Sequence, residues 1–179
     1  MFIGTSTIKR IFKEGSDIKN VRVSDEAVMV VYDSLIDMIK ELGKWVAKET
    51  DRKTIQQETI KYCVDKYLVF AGLNSHGISD LAPDRKTMTC EISENSARHV
   101  FNEGCPIKNG KKGYRMNGLA MDKIRILIEF YILKLSKEAS VMAKHAKRQT
   151  ITAEDIITFL EIRNRVRNDY NYSLLERDK

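Results

Sequence analysis

His145-Ala146-Lys147-Arg148-Gln149-Thr150-Ile151-Thr152-Ala153-Glu154-Asp155-Ile156 is the stretch that decides the fold. Its basic opening is a turn. Thr152, with Asp155 three positions on, approximates a capping box and so marks the start of a helix. Upstream, Ala120, Ile124, Leu127, Ile128, Tyr131, Leu135, Ala139, Met142 and Ala146 recur at three- and four-residue steps, which is one apolar face of a long helix. The stretch is therefore a basic loop joining a long helix to a shorter one.

The same chemistry occurs earlier in the chain. Arg52-Lys53-Thr54-Ile55 is followed by Gln56-Gln57-Glu58-Thr59-Ile60, and it too follows an apolar helix face, made of Ala27, Val30, Val31, Leu35, Met38, Ile39, Leu42 and Val46. Farther upstream each copy has a short segment ending in Glu-Gly: Ile11-Phe12-Lys13-Glu14-Gly15 and Val100-Phe101-Asn102-Glu103-Gly104. Each then has a basic loop with one arginine, Arg22 or Arg115, just before the long helix. The chain thus repeats short helix, loop, long helix, loop, short helix. Ser24 before Asp25-Glu26 is a good N-cap, with acids at the positive helix end. Gln56 stands where the second copy has Thr152 and is a poorer cap, so the last helix of the first copy should fray more readily. The two copies join near residues 71–92, where Asn74, Ser75, Gly77, Pro83 and Asp84 supply turn chemistry. At about 25–30 residues, each long helix should reach on the order of 40 Å.

A helix that long, flanked by two short ones, cannot cover its own apolar face. A second copy must cross it, and here the second copy is on the same chain. The expected fold is all-α, an intramolecular pseudo-dimer with crossed long helices and each loop beside the opposite loop of the other copy. Periodicity alone equally allows a plain helical bundle with basic loops on its surface.

Composition narrows the function classes. Of 179 residues, 42% are apolar and 31% charged, with only 9 Gly and 2 Pro, too few for an all-β chain with many tight turns. No run approaches a membrane span, and Met1 to Arg10 shows no secretory leader, so the chain is expected not to be secreted. The net charge is +6, with +1 on residues 1–89 and +5 on residues 90–179. That balance is compatible with a polyanion partner and with an ordinary basic protein. Cys63, Cys90 and Cys105 form no CxxC, and His76, His99 and His145 lie far apart, so neither a disulfide framework nor a metal site is expected, only buried or idle thiols. No phosphate-binding loop, nucleophile elbow or zinc-hydrolase motif occurs. We therefore expect no enzyme, no cofactor and no small-molecule substrate.

The pattern resembles the histone fold in both copies, over roughly residues 6–70 and 93–166. The decisive stretch looks like the second loop and third helix of core histones. Ile8-Lys9-Arg10-Ile11-Phe12-Lys13, Arg22-Val23-Ser24-Asp25-Glu26-Ala27 and Arg52-Lys53-Thr54-Ile55 match archaeal-type histones. At finer grain, Tyr67 to His76 resembles the passage into the extra C-terminal helix of the type 2B histone. Arg115-Met116-Asn117-Gly118-Leu119-Ala120 and Ile128-Glu129-Phe130-Tyr131 look like type 2A. Fused 2B–2A doublets occur in marseillevirus-like giant viruses, and archaeal doublets are the second match. The domains implied are a first histone fold at 1–72, a linker at 73–92 with room for a short helix, a second histone fold at 93–166, and a short C-terminal tail at 167–179.

What the resemblance implies is a structural protein that wraps and compacts double-stranded DNA without reading sequence, inside a nucleosome-like particle built with other doublets (a fused type 4–type 3 pair if viral). The alternative is a transcription-regulatory subunit acting mainly through protein pairing. The location would be the virion and viral factory or host nucleus if viral, and the nucleoid if archaeal. The DNA-contact candidates are Arg10, Lys13, Arg22, Arg52, Lys53 and Thr54 in the first copy, and Arg98, Lys111, Lys112, Arg115, Lys147, Arg148 and Thr150 in the second. Guanidiniums suit phosphate forks and narrow grooves, and lysines release counterions. The family pairs the loop arginine with an aspartate seven residues on. Arg148 and Asp155 keep that pair, whereas Arg52 faces Thr59. Of the acidic patch on the type 2A long helix, Glu129 remains but the next matching positions carry Lys134 and Lys137, so the patch should be absent or reversed in sign.

Overall fold

The fold is described from a computed structural model, in which residues 1–50, 54–70, 90–105 and 114–177 are described. In chain order the first copy gives α1 (Thr5–Gly15), β1 (Arg22–Val23), α2 (Asp25–Glu49), β2 (Thr54–Ile55) and α3 (Gln57–Phe70). The second gives α4 (Glu94–Gly104), β3 (Arg115–Met116), α5 (Gly118–His145), β4 (Thr150–Ile151) and α6 (Ala153–Arg177). Of the linker, residues 73–89 lie outside the described residues, and with them any short helix there.

Local chemistry sets the helix ends. Ser24 Oγ accepts from the Ala27 N–H at 3.1 Å, and Asn117 Oδ1 accepts from the Ala120 N–H at 2.7 Å, each occupying a donor that the first helical turn leaves open. α2 has 25 residues and α5 has 28, so the second long helix is longer by nearly a turn. α5 ends on Lys144 and His145, and the Lys144 cation suits the negative end of the dipole. His145 is exposed there. α6 continues past Val166, where the sequence reading ends the second fold, and runs to Arg177.

The copies clasp one another. α1 packs on α5 and α4 packs on α2, so each short helix crosses the long helix of the opposite copy. The repeated Glu-Gly is the crossing point. A Cβ on Gly15 would lie 2.9 Å from Leu133 O, and one on Gly104 would lie 2.6 Å from Ile39 Cγ2 and 3.0 Å from Lys40 N. Only glycine allows backbones that close. Beside the first crossing, Ser136 Oγ donates to Phe12 O, and the Ser16 and Ser140 hydroxyls meet at 2.7 Å. Near the second, Tyr32 OH donates to Glu103 at 3.0 Å and accepts from the Phe2 N–H at 3.1 Å. Burial, and then the Glu103 carboxylate, push the Tyr32 phenol above its ordinary pKa.

One core results, not two. Ile8, Phe12, Val31, Leu35 and Ile39 of the first copy and Phe101, Ile124, Leu127, Tyr131 and Leu135 of the second are all buried in a single cluster. Each such side chain contributes about 1.5–3 kcal/mol through burial. Trp45 is half-buried against this core. Cys63 and Cys105 are buried too, and burial pushes their thiols to about 11 and about 12. The Cys90 thiol, raised to about 12 by burial and by Glu129, donates to that carboxylate at 2.8 Å. These are thiols at rest, far from thiolate at neutral pH.

Two short parallel pairings lock the loops. β1 pairs with β4, setting Arg22 against Thr150 and Val23 against Ile151. β2 pairs with β3, setting Thr54 against Arg115 and Ile55 against Met116. In both, the loop before one long helix lies beside the loop after the other.

Candidate nucleic-acid interface

At the first paired end, the Arg22 N–H donates to Gln149 O at 3.0 Å and the Ser24 N–H to Ile151 O at 3.1 Å. The Arg22 side chain is exposed and has no ion pair among the described residues. Lys147, also exposed, sits at φ 55°, the left-handed region that ends α5. A lysine there costs roughly 1 kcal/mol or more against glycine. Its neighbour anchors the turn. Arg148 reaches Asp155 through Nη1 at 3.0 Å and Nη2 at 2.7 Å, and Nη1 also donates to Thr150 O at 2.9 Å. Asp155 in turn accepts from the Thr152 N–H at 2.8 Å and from the Thr152 hydroxyl at 3.0 Å. Burial pushes the Asp155 carboxyl up, but the Arg148 and Thr152 hydrogen bonds and the Arg148 charge outweigh it, so the net pKa lies below the ordinary carboxylate value. The same contact raises the Arg148 pKa. Arg148 thus shapes the loop with one edge while its side chain stays 37% exposed.

At the second paired end, Arg115 is exposed and Thr54 half-buried. The Asn117 N–H donates to Ile55 O at 3.3 Å. The Asn117 side chain, while capping α5, donates through Nδ2 to Gln56 Oε1 at 2.9 Å. So the residue that reads as a poor cap in the first copy is held by the cap of the second.

The remaining candidates divide. Lys13 is exposed in the last turn of α1. Arg10, exposed as well, is ion-paired with Glu91, and Arg98 pairs with Glu94 at 2.7 Å within α4. Such exposed pairs exchange readily for another anion. Arg52, Lys53, Lys111 and Lys112 lie outside the described residues. The structure therefore brings Arg22, Lys147, Arg148 and Thr150 together at one end and Thr54 with Arg115 at the other. Sequence reasoning missed the Gln56–Asn117 contact and the Lys9–Asp25 ion pair at 2.7 Å. Asn117 just before a helical run was the available signal for a cap; nothing local signals its second partner. Glu129 accepts from the Cys90 thiol and from the Glu91 N–H at 2.9 Å, and Lys134 faces Glu138 at 3.4 Å. Among the described residues no group of His, Cys, Asp and Glu could hold a metal ion, and no helix is long and apolar enough to cross a membrane.

Comparison with known proteins agrees with this geometry. Residues 97–162 match the core histone domain, the family covering types 2A, 2B, 3 and 4. Residues 1–64 match the family of histone-like transcription factors (CBF/NF-Y) and archaeal histones. This is a histone-fold protein.

The two matches, one in each half, make the chain a doublet of histone folds, and these families are of structural proteins, not enzymes. Among solved structures, the histone from Methanopyrus kandleri is similar, with a TM-score of 0.59 and 22% identity over 86% of this chain and 90% of that one. Coverage that wide takes in both halves, so the likeness is to the whole clasped arrangement. No curated protein matches the chain by sequence.

Proposed function

We propose that this histone-fold doublet is a DNA-packaging protein that binds and bends double-stranded DNA without sequence preference and assembles with other histone-fold doublets into a nucleosome-like particle. The observation that carries this reading is the register of the paired loops. Arg22 lies against Thr150 and Arg115 against Thr54, which puts an exposed arginine at each end of the molecule beside a hydroxyl donor. Backbone-directed binding needs cations and donors spaced to meet successive inward-facing minor grooves, and histone octamers are themselves the established case. The protein would then act in chromatin, nuclear or nucleoid. A viral origin, with the virion as location and a fused type 4–type 3 doublet as partner, is the finer form of this reading and rests on the 2B-like and 2A-like residues of the two copies.

Nuclease digestion of complexes reconstituted on long random-sequence DNA tests it. Discrete protected fragments are expected, alone or with a companion doublet. A smear matching naked DNA in both cases contradicts packaging.

A second reading has its own support. The first copy matches a family that includes transcription factors, and two of the candidate cations, Arg10 and Arg98, are already paired with acids. A regulatory subunit of that kind would prefer one site. Competition between unrelated DNA sequences separates the two, since packaging predicts equal competitors.

A further inference from the structure

We propose that Gln56 and Asn117 are positioning residues that hold the β2·β3 loop pair in register, doing with neutral amides what Arg148 and Asp155 do with charge at the β1·β4 end. The inference rests on the DNA-packaging reading for its functional half and on geometry alone for its structural half.

The two ends of the molecule carry the same pairing but different braces. At β1·β4 a bidentate guanidinium–carboxylate contact ties Arg148 to Asp155, and through Asp155 to the Thr152 backbone and hydroxyl. That brace lies within the second copy. At β2·β3 the brace crosses between copies, over a sequence separation of 61 residues. Its direction is set by chemistry. Asn117 Oδ1 is occupied by the Ala120 N–H, so the amide nitrogen must point outward as the donor, and Gln56 must present its oxygen. The same Asn117 ties its own backbone N–H to Ile55 O. One asparagine therefore caps α5, closes the parallel pair and holds the residue that opens α3. It stands two positions beyond Arg115, so the direction in which that arginine leaves the loop depends on it. The brace also answers the weak cap at Gln56: the start of α3 is held by the other copy.

Two substitutions break the bridge while sparing the rest. Gln56→Leu keeps the volume and removes the acceptor. Asn117→Ser keeps a strong N-cap and removes the reach. In the free protein, hydrogen exchange at the Asn117 amide should accelerate about tenfold in either variant, while the Ser24 amide at the opposite end stays as in the parent. With DNA, a double-mutant cycle reads function. Arg115→Ala should weaken binding about fivefold in the parent but less than about twofold in Gln56→Leu, whereas Arg22→Ala should cost the same in both. A general loss of stability would speed exchange at both ends alike and would leave Arg115→Ala additive. Unchanged exchange at Asn117 overturns the proposal outright, and additivity at Arg115 overturns its functional half. A parent that fails to bind DNA overturns the packaging reading instead, and the exchange result then stands apart from it.

Discussion

Asp155 shows how much a single side chain can organise. It joins the turn after α5 to the start of α6 by accepting from Arg148 and from Thr152. Because the folded state lowers its pKa, its contribution is fully present above the unfolded carboxylate value of about 4 and is lost as pH falls through the lower folded value. Asp155→Asn should therefore be less stable than the parent in urea at neutral pH, with the gap closing below about pH 4; a gap that persists unchanged to strong acid would contradict the ion pair. The two helix-end glycines are as exacting. Gly104→Ala should lower stability by about 1–3 kcal/mol, and Gly15→Ala similarly, because the added methyl meets Ile39 or the Leu133 carbonyl. A neutral result in denaturant unfolding would mean the helix crossings are looser than described. In the sequence these glycines were legible only as repeat markers. Their reason is a contact with the other copy, which no local pattern contains.

Among elements, the long helices were the most legible. Their apolar residues recur with the helical period over many turns, and Ser24 announced its own cap, as the 3.1 Å contact to Ala27 shows. Ser24→Ala should cost about 1 kcal/mol in thermal or urea unfolding, and an unchanged midpoint would deny the cap a role. Less legible were the ends lacking such signals. α6 runs on through Arg163-Asn164-Arg165-Val166-Arg167-Asn168-Asp169, a polar stretch without an apolar stripe to mark it as helix. The basic turn after α5 was legible, but not its left-handed residue: Lys147 adopts a conformation usually left to glycine or asparagine. Gln56 looked like a defect within its own copy and is part of a cross-copy bridge instead.

For the molecule as a whole, the uncovered apolar face of each long helix pointed to a crossing partner but equally allowed a plain bundle, and the repeat with its histone-like loops pointed to the second copy. Because both halves share one chain and one core, the unfolding midpoint should not change with protein concentration across a hundredfold range. A midpoint that rises with concentration would show the clasp forming between molecules. Which cations face outward was less legible than the clasp: the sequence could place Arg10 and Arg98 in the right helices but not their pairing with Glu91 and Glu94.

Packaging requires that exposed cations at the two paired loop ends grip a polyanion backbone. Affinity for double-stranded DNA measured against salt concentration tests this most directly. A steep fall of log K with log salt is expected, equal for unrelated sequences and shallower by about two when Arg22 and Arg115 are both replaced by alanine. A slope near zero, or one that the double replacement leaves unchanged, would contradict it.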